Sequence, residues 1–163
     1  LPRRVQRLRL EELSMEVPAS WRRSPDRLVR RLSAAARRRD PRSEVKIVAM
    51  SSREGAPPVA KLVIQRHSTR GSSMEPLRAI VLGMRQAMER GARLRGAKLT
   101  FESQCKERFC DVSYSLAGSS RMAMKARLWR SAGRLTTVSC GCANEGCEHL
   151  ASCSLSYPPN ASK

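Results

Sequence analysis

A chain of 163 residues, 40% of them hydrophobic and with a mean hydropathy of -0.47, can close one domain with short extensions, and no stretch of it approaches the ~20 apolar residues that a membrane-crossing helix needs. Twenty-six arginines and six lysines against 14 acids give a net charge of +18. A compact domain with that charge repels itself, which excludes a chain indifferent to its partners and calls for nucleic acid, anionic lipid or the acidic face of a protein assembly. The bias to arginine adds a forked donor that pairs two-pronged with phosphate or carboxylate. A GC-rich coding sequence accounts for part of the Arg-for-Lys exchange but not for the excess of base over acid. Aromatic residues are only 4%, so the core is expected from Leu, Val, Ile, Met and Ala. The chain begins at Leu1, which fits a mature form relieved of a targeting segment, or an incomplete chain.

Residues 1–12 are basic and carry no firm strand period, which predicts an extended arm ahead of a single α+β domain over residues 13–159, with a tail at 160–163. Leu13, Met15 and Val17 alternate with polar residues as a half-buried strand does, Pro18 ends it, and Trp21 plugs the core edge. Ser24-Pro25-Asp26 opens a helix whose apolar positions are Leu28, Val29, Leu32, Ala35 and Ala36, and Asp40-Pro41 stops it. Its other face carries Arg27, Arg30, Arg31, Arg37, Arg38 and Arg39, the strongest local charge feature. Val45–Met50 and Val59–Arg66 read as a hairpin. A capping box at Ser72…Glu75 opens a second helix, lined by Leu77, Ile80, Val81, Met84 and Met88 and expected to end near Gly91.

From residue 99 onward the pattern is sheet: Leu99–Glu102, Phe109–Leu116, Met122–Trp129 and Arg134–Cys140, with turns at 118–120 and 131–133. A short helix over 145–152, a closing strand over 154–157 and Pro158-Pro159 finish the domain. There is no internal repeat. Strands covered by returning helices imply an α+β class: an antiparallel sheet in an α-β-α sandwich.

Six cysteines, Cys105, Cys110, Cys140, Cys142, Cys147 and Cys153, all fall in the C-terminal third. Clustered and even in number, they favour disulfides and an oxidising compartment. Cys105 and Cys110 flank a hairpin tip that a bridge would staple. Cys142–Cys147 with Cys140–Cys153 is one pairing of the rest; spacing alone does not fix it. Cys140, Cys142, Cys147, His149 and Cys153 also form a zinc-capable set, in a spacing that is not a paired C-x2-C knuckle.

Catalysis finds no support. The only histidines are His67 and His149, and no nucleophile elbow, phosphate loop or paired carboxylates are present. The expectation is a non-enzyme without a cofactor. A ribosomal-type protein gripping RNA phosphates is the alternative, although Phe101, Phe109, Tyr114 and Trp129 sit where packing uses them rather than as stacking platforms. Asn160-Ala161-Ser162 matches a glycosylation acceptor and is taken as chance.

Three segments resemble the PsbP family, whose fold is shared by Mog1-like and DcrB-like proteins. Leu13–Trp21 is similar to its first strand with a Pro-x-x-Trp corner. Met124–Cys142 resembles its late hairpin with a Gly turn, and Cys147–Pro158 its final helix and closing strand. The arginine helix and the cysteine-rich end depart from the family. The resemblance implies a non-catalytic, extrinsic structural subunit on the lumenal side of a photosystem, in the thylakoid lumen and membrane-associated through its partners. Those would be acidic protein surfaces of a multi-subunit complex and an acidic electron carrier attracted by steering. The partner-binding basic surface is expected at Arg3, Arg4, Arg7, Arg9, Arg27, Arg30, Arg31, Arg37, Arg38 and Arg39. The other readings are an RNA-binding protein of an organellar ribosome and a zinc-stabilised binding module.

Overall fold

Alternation of apolar and polar residues from Lys98 onward builds the larger part of the sheet. The computed structural model describes residues 4–10, 13–19, 21–23, 25–39, 41, 43–51, 60–68, 76–131, 134–144 and 147. Their elements are β1 (Val5–Leu10), β2 (Leu13–Pro18), α1 (Asp26–Arg39), β3 (Ser43–Ser51), β4 (Ala60–Ser68), α2 (Leu77–Arg95), β5 (Lys98–Cys105), β6 (Phe109–Ala117), β7 (Arg121–Ser131) and β8 (Arg134–Ala143). Strands β1 and β2 form a two-stranded sheet, and the rest form a six-stranded sheet in the order β3-β4-β8-β7-β6-β5. Every neighbouring pair is antiparallel. The class is α+β, with α1 against β3 and α2 against β5 and β6.

Within the segment expected as an arm, Val5–Leu10 form a paired strand. Residues 5–10 lie in register with β2, Val5 opposite Pro18 and Leu10 opposite Leu13. Gln6, opposite the fully buried Val17, donates its side-chain amide to the Trp21 carbonyl, and Trp21 is itself buried. Arg7 and Arg9 alternate with Leu8 and Leu10 along the strand, and the Arg7 side chain is exposed. The Trp21 indole Nε1 is enclosed with no hydrogen-bond partner among the described residues.

Helix α1 starts where proline permits. The Pro25 carbonyl accepts from Leu28 N–H at 2.9 Å and Val29 N–H at 3.2 Å. Asp26 in the first turn complements the helix dipole. Leu28, Val29, Leu32 and Ala36 form its packed side, while Ala35 is exposed.

Helix α2 departs from expectation at both ends. Its N-cap is Pro76, without a side-chain capping bond, so the helix begins at Leu77 rather than after Ser72. Proline fixes its own φ and has no N–H to leave unpaired, which suits it to the start of a helix. The Ser72…Glu75 box itself lies outside the described residues. At the far end the helix runs past Gly91 to Arg95 and stops at Gly96, φ 61°, whose N–H bonds the Arg93 carbonyl while Ala97 N–H bonds that of Ala92. A left-handed glycine stops a helix; an αR glycine inside one only weakens it.

Under α2, Val81 packs on Cys110, Val112, Ala126 and Leu128, with Leu77, Ile80, Met84, Phe101, Tyr114 and Leu135 around them. Burying a side chain such as Leu128 contributes about 1.5–3 kcal/mol. The opposite sheet face is also buried at its centre, by Trp129 on β7 and by Thr136, Val138, Cys140 and Cys142 on β8. The expected helix over 145–152, the strand over 154–157 and the tail lie outside the described residues.

Candidate docking surface

Helix geometry collects the arginines of α1. At 3.6 residues per turn, Arg27, Arg30, Arg31, Arg37 and Arg38 fall within about 120° of the circumference and along about 16 Å of the axis, centred on Ala34. All five are exposed, and none is ion-paired among the described residues. The opposite side of the helix is packed, so the arc cannot turn inward. Arg39 ends α1; its side chain, like that of Arg9, is outside the description.

The other expected contacts are differently placed. Arg3 lies outside the described residues, and Arg4 is exposed just ahead of β1, its carbonyl taking the Ala19 N–H at 3.0 Å. Arg7 stands opposite Glu16 and reaches it at 3.4 Å, both side chains about half exposed. A surface pair of this kind is worth about 1 kcal/mol or less, so it diverts Arg7 without anchoring the hairpin.

Sequence reasoning missed a polar depression on the sheet face away from α2, ≈ 700 Å³ in volume, lined by Glu102, Gln104, Asp111, Ser113, Lys125 and Arg127 among others. Arg127 grips Asp111 across β6 and β7 with two bonds, Nε to Oδ1 at 2.7 Å and NH2 to Oδ2 at 3.0 Å. Its guanidinium also lies 4.3 Å from the centre of the Phe109 ring. The fork holds acid and base against each other, which suits a rigid polar platform more than proton transfer.

The described cysteines are paired. Cys105 and Cys110, directly opposed in β5 and β6, are bridged with Cα atoms 4.0 Å apart, and Lys106 N–H bonds the Phe109 carbonyl at 2.8 Å inside the loop. Cys142 is bridged to Cys147, Cα atoms 4.9 Å apart. Cys140 is disulfide-bonded as well, while Cys153 lies outside the described residues. A bridge closing so short a loop restricts the unfolded chain by about 2 kcal/mol. Paired in this way, Cys140, Cys142 and Cys147 have no thiolate to offer the zinc-capable set, whose other members, His149 and Cys153, lie outside the described residues.

No protein-family model matches the chain, and no curated protein matches it. Among solved structures, the Ran-binding protein Mog1p of Saccharomyces cerevisiae is similar over 86% of this chain and 77% of its own, with a TM-score of 0.50 and 9% sequence identity. The fold is of the PsbP and Mog1 type. A protein of unknown function from Pseudomonas aeruginosa, PA94, is similar over 85% of this chain and 82% of its own, with a TM-score of 0.43 and 12% identity. At 9% identity to Mog1p the likeness is one of backbone path. The likeness to the PsbP and Mog1 type therefore stands at the level of the fold, the segment 147–158 lying almost wholly outside the described residues, and the residues that act must be sought on this chain's own surface.

Proposed function

We propose that this chain is a non-catalytic binding protein that docks through the arginine arc of α1 onto an acidic protein surface. The observation that carries the reading is five exposed guanidiniums on one side of a packed helix, none of them ion-paired among the described residues. Arginine forks on a rigid helix give register as well as attraction, and the surrounding charge steers an acidic partner inward. Mog1p is a Ran-binding protein, and a protein-binding role on the same scaffold agrees with this reading. The disulfides suit an oxidising compartment. The PsbP resemblance gives the proposal its finer form, an extrinsic subunit on the lumenal side of a photosystem.

The test replaces Arg27, Arg30, Arg31, Arg37 and Arg38 with Gln in the full chain and measures binding to polyglutamate and to single-stranded RNA of matched charge at physiological ionic strength. The reading expects the wild type to prefer the carboxylate probe, and the variant to lose at least about tenfold, the effect of one or more charge-assisted bonds. Preference for RNA, with affinity falling steeply as salt rises, overturns it in favour of phosphate gripping. For the finer form, the wild type should rebind to salt-washed thylakoid membranes and the variant should not; equal rebinding, or none, removes the photosystem.

A further inference from the structure

A second concavity, ≈ 700 Å³, lies where the start of α2 meets the β5–β6 tip and the end of β7. Four cations line it from three places in the fold: Arg78 in the first turn of α2, Lys106 and Arg108 in the tip, and Arg130 on β7. Glu107 is the one carboxylate among its lining residues. The site is remote from the α1 arc, since α1 packs on β3 and this cavity touches β5, the opposite edge of the sheet.

Two features of the lining ask for an anion. Arg130 is half-buried, and its Nε is wholly enclosed with no hydrogen-bond partner among the described residues. Enclosing part of a charged group strips its water, and an anion in the cavity beside the guanidinium would offset that cost. The start of α2 adds the same demand. Its first turn holds no acid, Pro76 supplies no side-chain cap, and the Leu77 and Arg78 N–H groups meet no acceptor among the described residues. Helix N-termini with open N–H groups favour phosphate. The tip is also preorganised, because the Cys105–Cys110 bridge and the Lys106–Phe109 bond fix the loop that carries Lys106 and Arg108.

We propose that this cavity binds the phosphate group of a small phosphorylated ligand. Three guanidiniums, an ammonium and open N–H groups match the several oxygens of a phosphate better than the two of a carboxylate. The cavity volume leaves room for the organic part of the ligand. The phosphate could be carried by a soluble compound or by a lipid headgroup, and the two are separated by experiment.

The full chain is titrated with inorganic pyrophosphate in a calorimeter at physiological ionic strength. It is also sedimented with phosphatidylcholine vesicles with and without phosphatidic acid. The variants are Arg130→Gln, Arg78→Gln and, as a control of equal charge outside the cavity, Arg90→Gln. Binding in either arm should fall at least about tenfold in Arg130→Gln and by a comparable factor in Arg78→Gln, the loss of a charge-assisted bond. It should be unchanged in Arg90→Gln. The arm that shows this dependence names the source of the phosphate. Arg78 is exposed, so its variant keeps the test valid if Arg130→Gln fails to fold. Equal weakening in Arg90→Gln and Arg78→Gln, or no cavity-dependent binding in either arm, overturns the proposal.

Discussion

Tyr114 sets its phenol between sheet and helix, the ring stacked on Phe101 at 6.4 Å between centroids and the hydroxyl donating to Met124 Sδ at 3.2 Å. Burial pushes its pKa above the ordinary 10.0, because a phenolate there would lose water without gaining a counter-charge. The folded chain therefore holds this proton to higher pH than the unfolded chain does. The resulting stability is intact below pH 10.0 and is lost as pH climbs from there through the folded value. Tyr114→Phe should flatten the alkaline side of a melting-temperature profile, and an unchanged slope would show that other groups set it. The arginines of α1 were legible at this scale because helix period is local: five side chains share a face by counting alone. Asp111 and Arg127 were not. The alternation Cys110-Asp111-Val112 does place Asp111 on the far face, but its partner depends on a β6–β7 register fixed by the turn at 118–120. The four cations of the second concavity are further out of reach, since they are brought together by tertiary packing alone.

Two glycines separate what an element tolerates from what it requires. A Cβ at Gly91 meets nothing within 4 Å, and α2 passes through it in ordinary helical geometry; at Gly96 the space is equally open but φ is 61°. Any difference between them is then backbone alone. Gly91→Ala should stabilise by about 0.5–1 kcal/mol. Gly96→Ala should destabilise by about 1–2 kcal/mol. Chemical denaturation of the two single variants reads both signs, and a matching sign would contradict the cap. The sequence reading stopped α2 at Gly91 because composition cannot distinguish a helical glycine from a left-handed one; the signal lay in the good formers Ala92 to Arg95 that follow. Strand boundaries from Lys98 to Ala143 were readable to within a few residues, since each carries the two-residue alternation of a sheet with a packed face. Strand β1 was missed because arginines hold alternate positions, Arg7 and Arg9, and charge masked the period.

The order β3-β4-β8-β7-β6-β5 has a consequence for how the molecule comes apart. Strands β5 to β8 follow one another along the chain as a meander, and β3 with β4 is a hairpin. Only the β4–β8 junction joins distant segments, pairing Ala60–Ser68 with Arg134–Cys142 across α2 and three strands. Closing it costs chain entropy that the local pairings do not incur. The core beneath α2 draws on β5 to β8, so the β4–β8 junction is the seam between the meander that carries this core and a hairpin distant in sequence. Hydrogen exchange under native conditions should find the amides of β6 and β7 slowest, with those of β3 and β4 opening earlier and together; protection in β3 equal to that in β6 would deny the seam. The hairpin beyond the seam is the one that carries α1. The arginine arc thus rides on the half of the sheet expected to open first, and a partner bound there would hold the two halves shut, its affinity read as added resistance to opening.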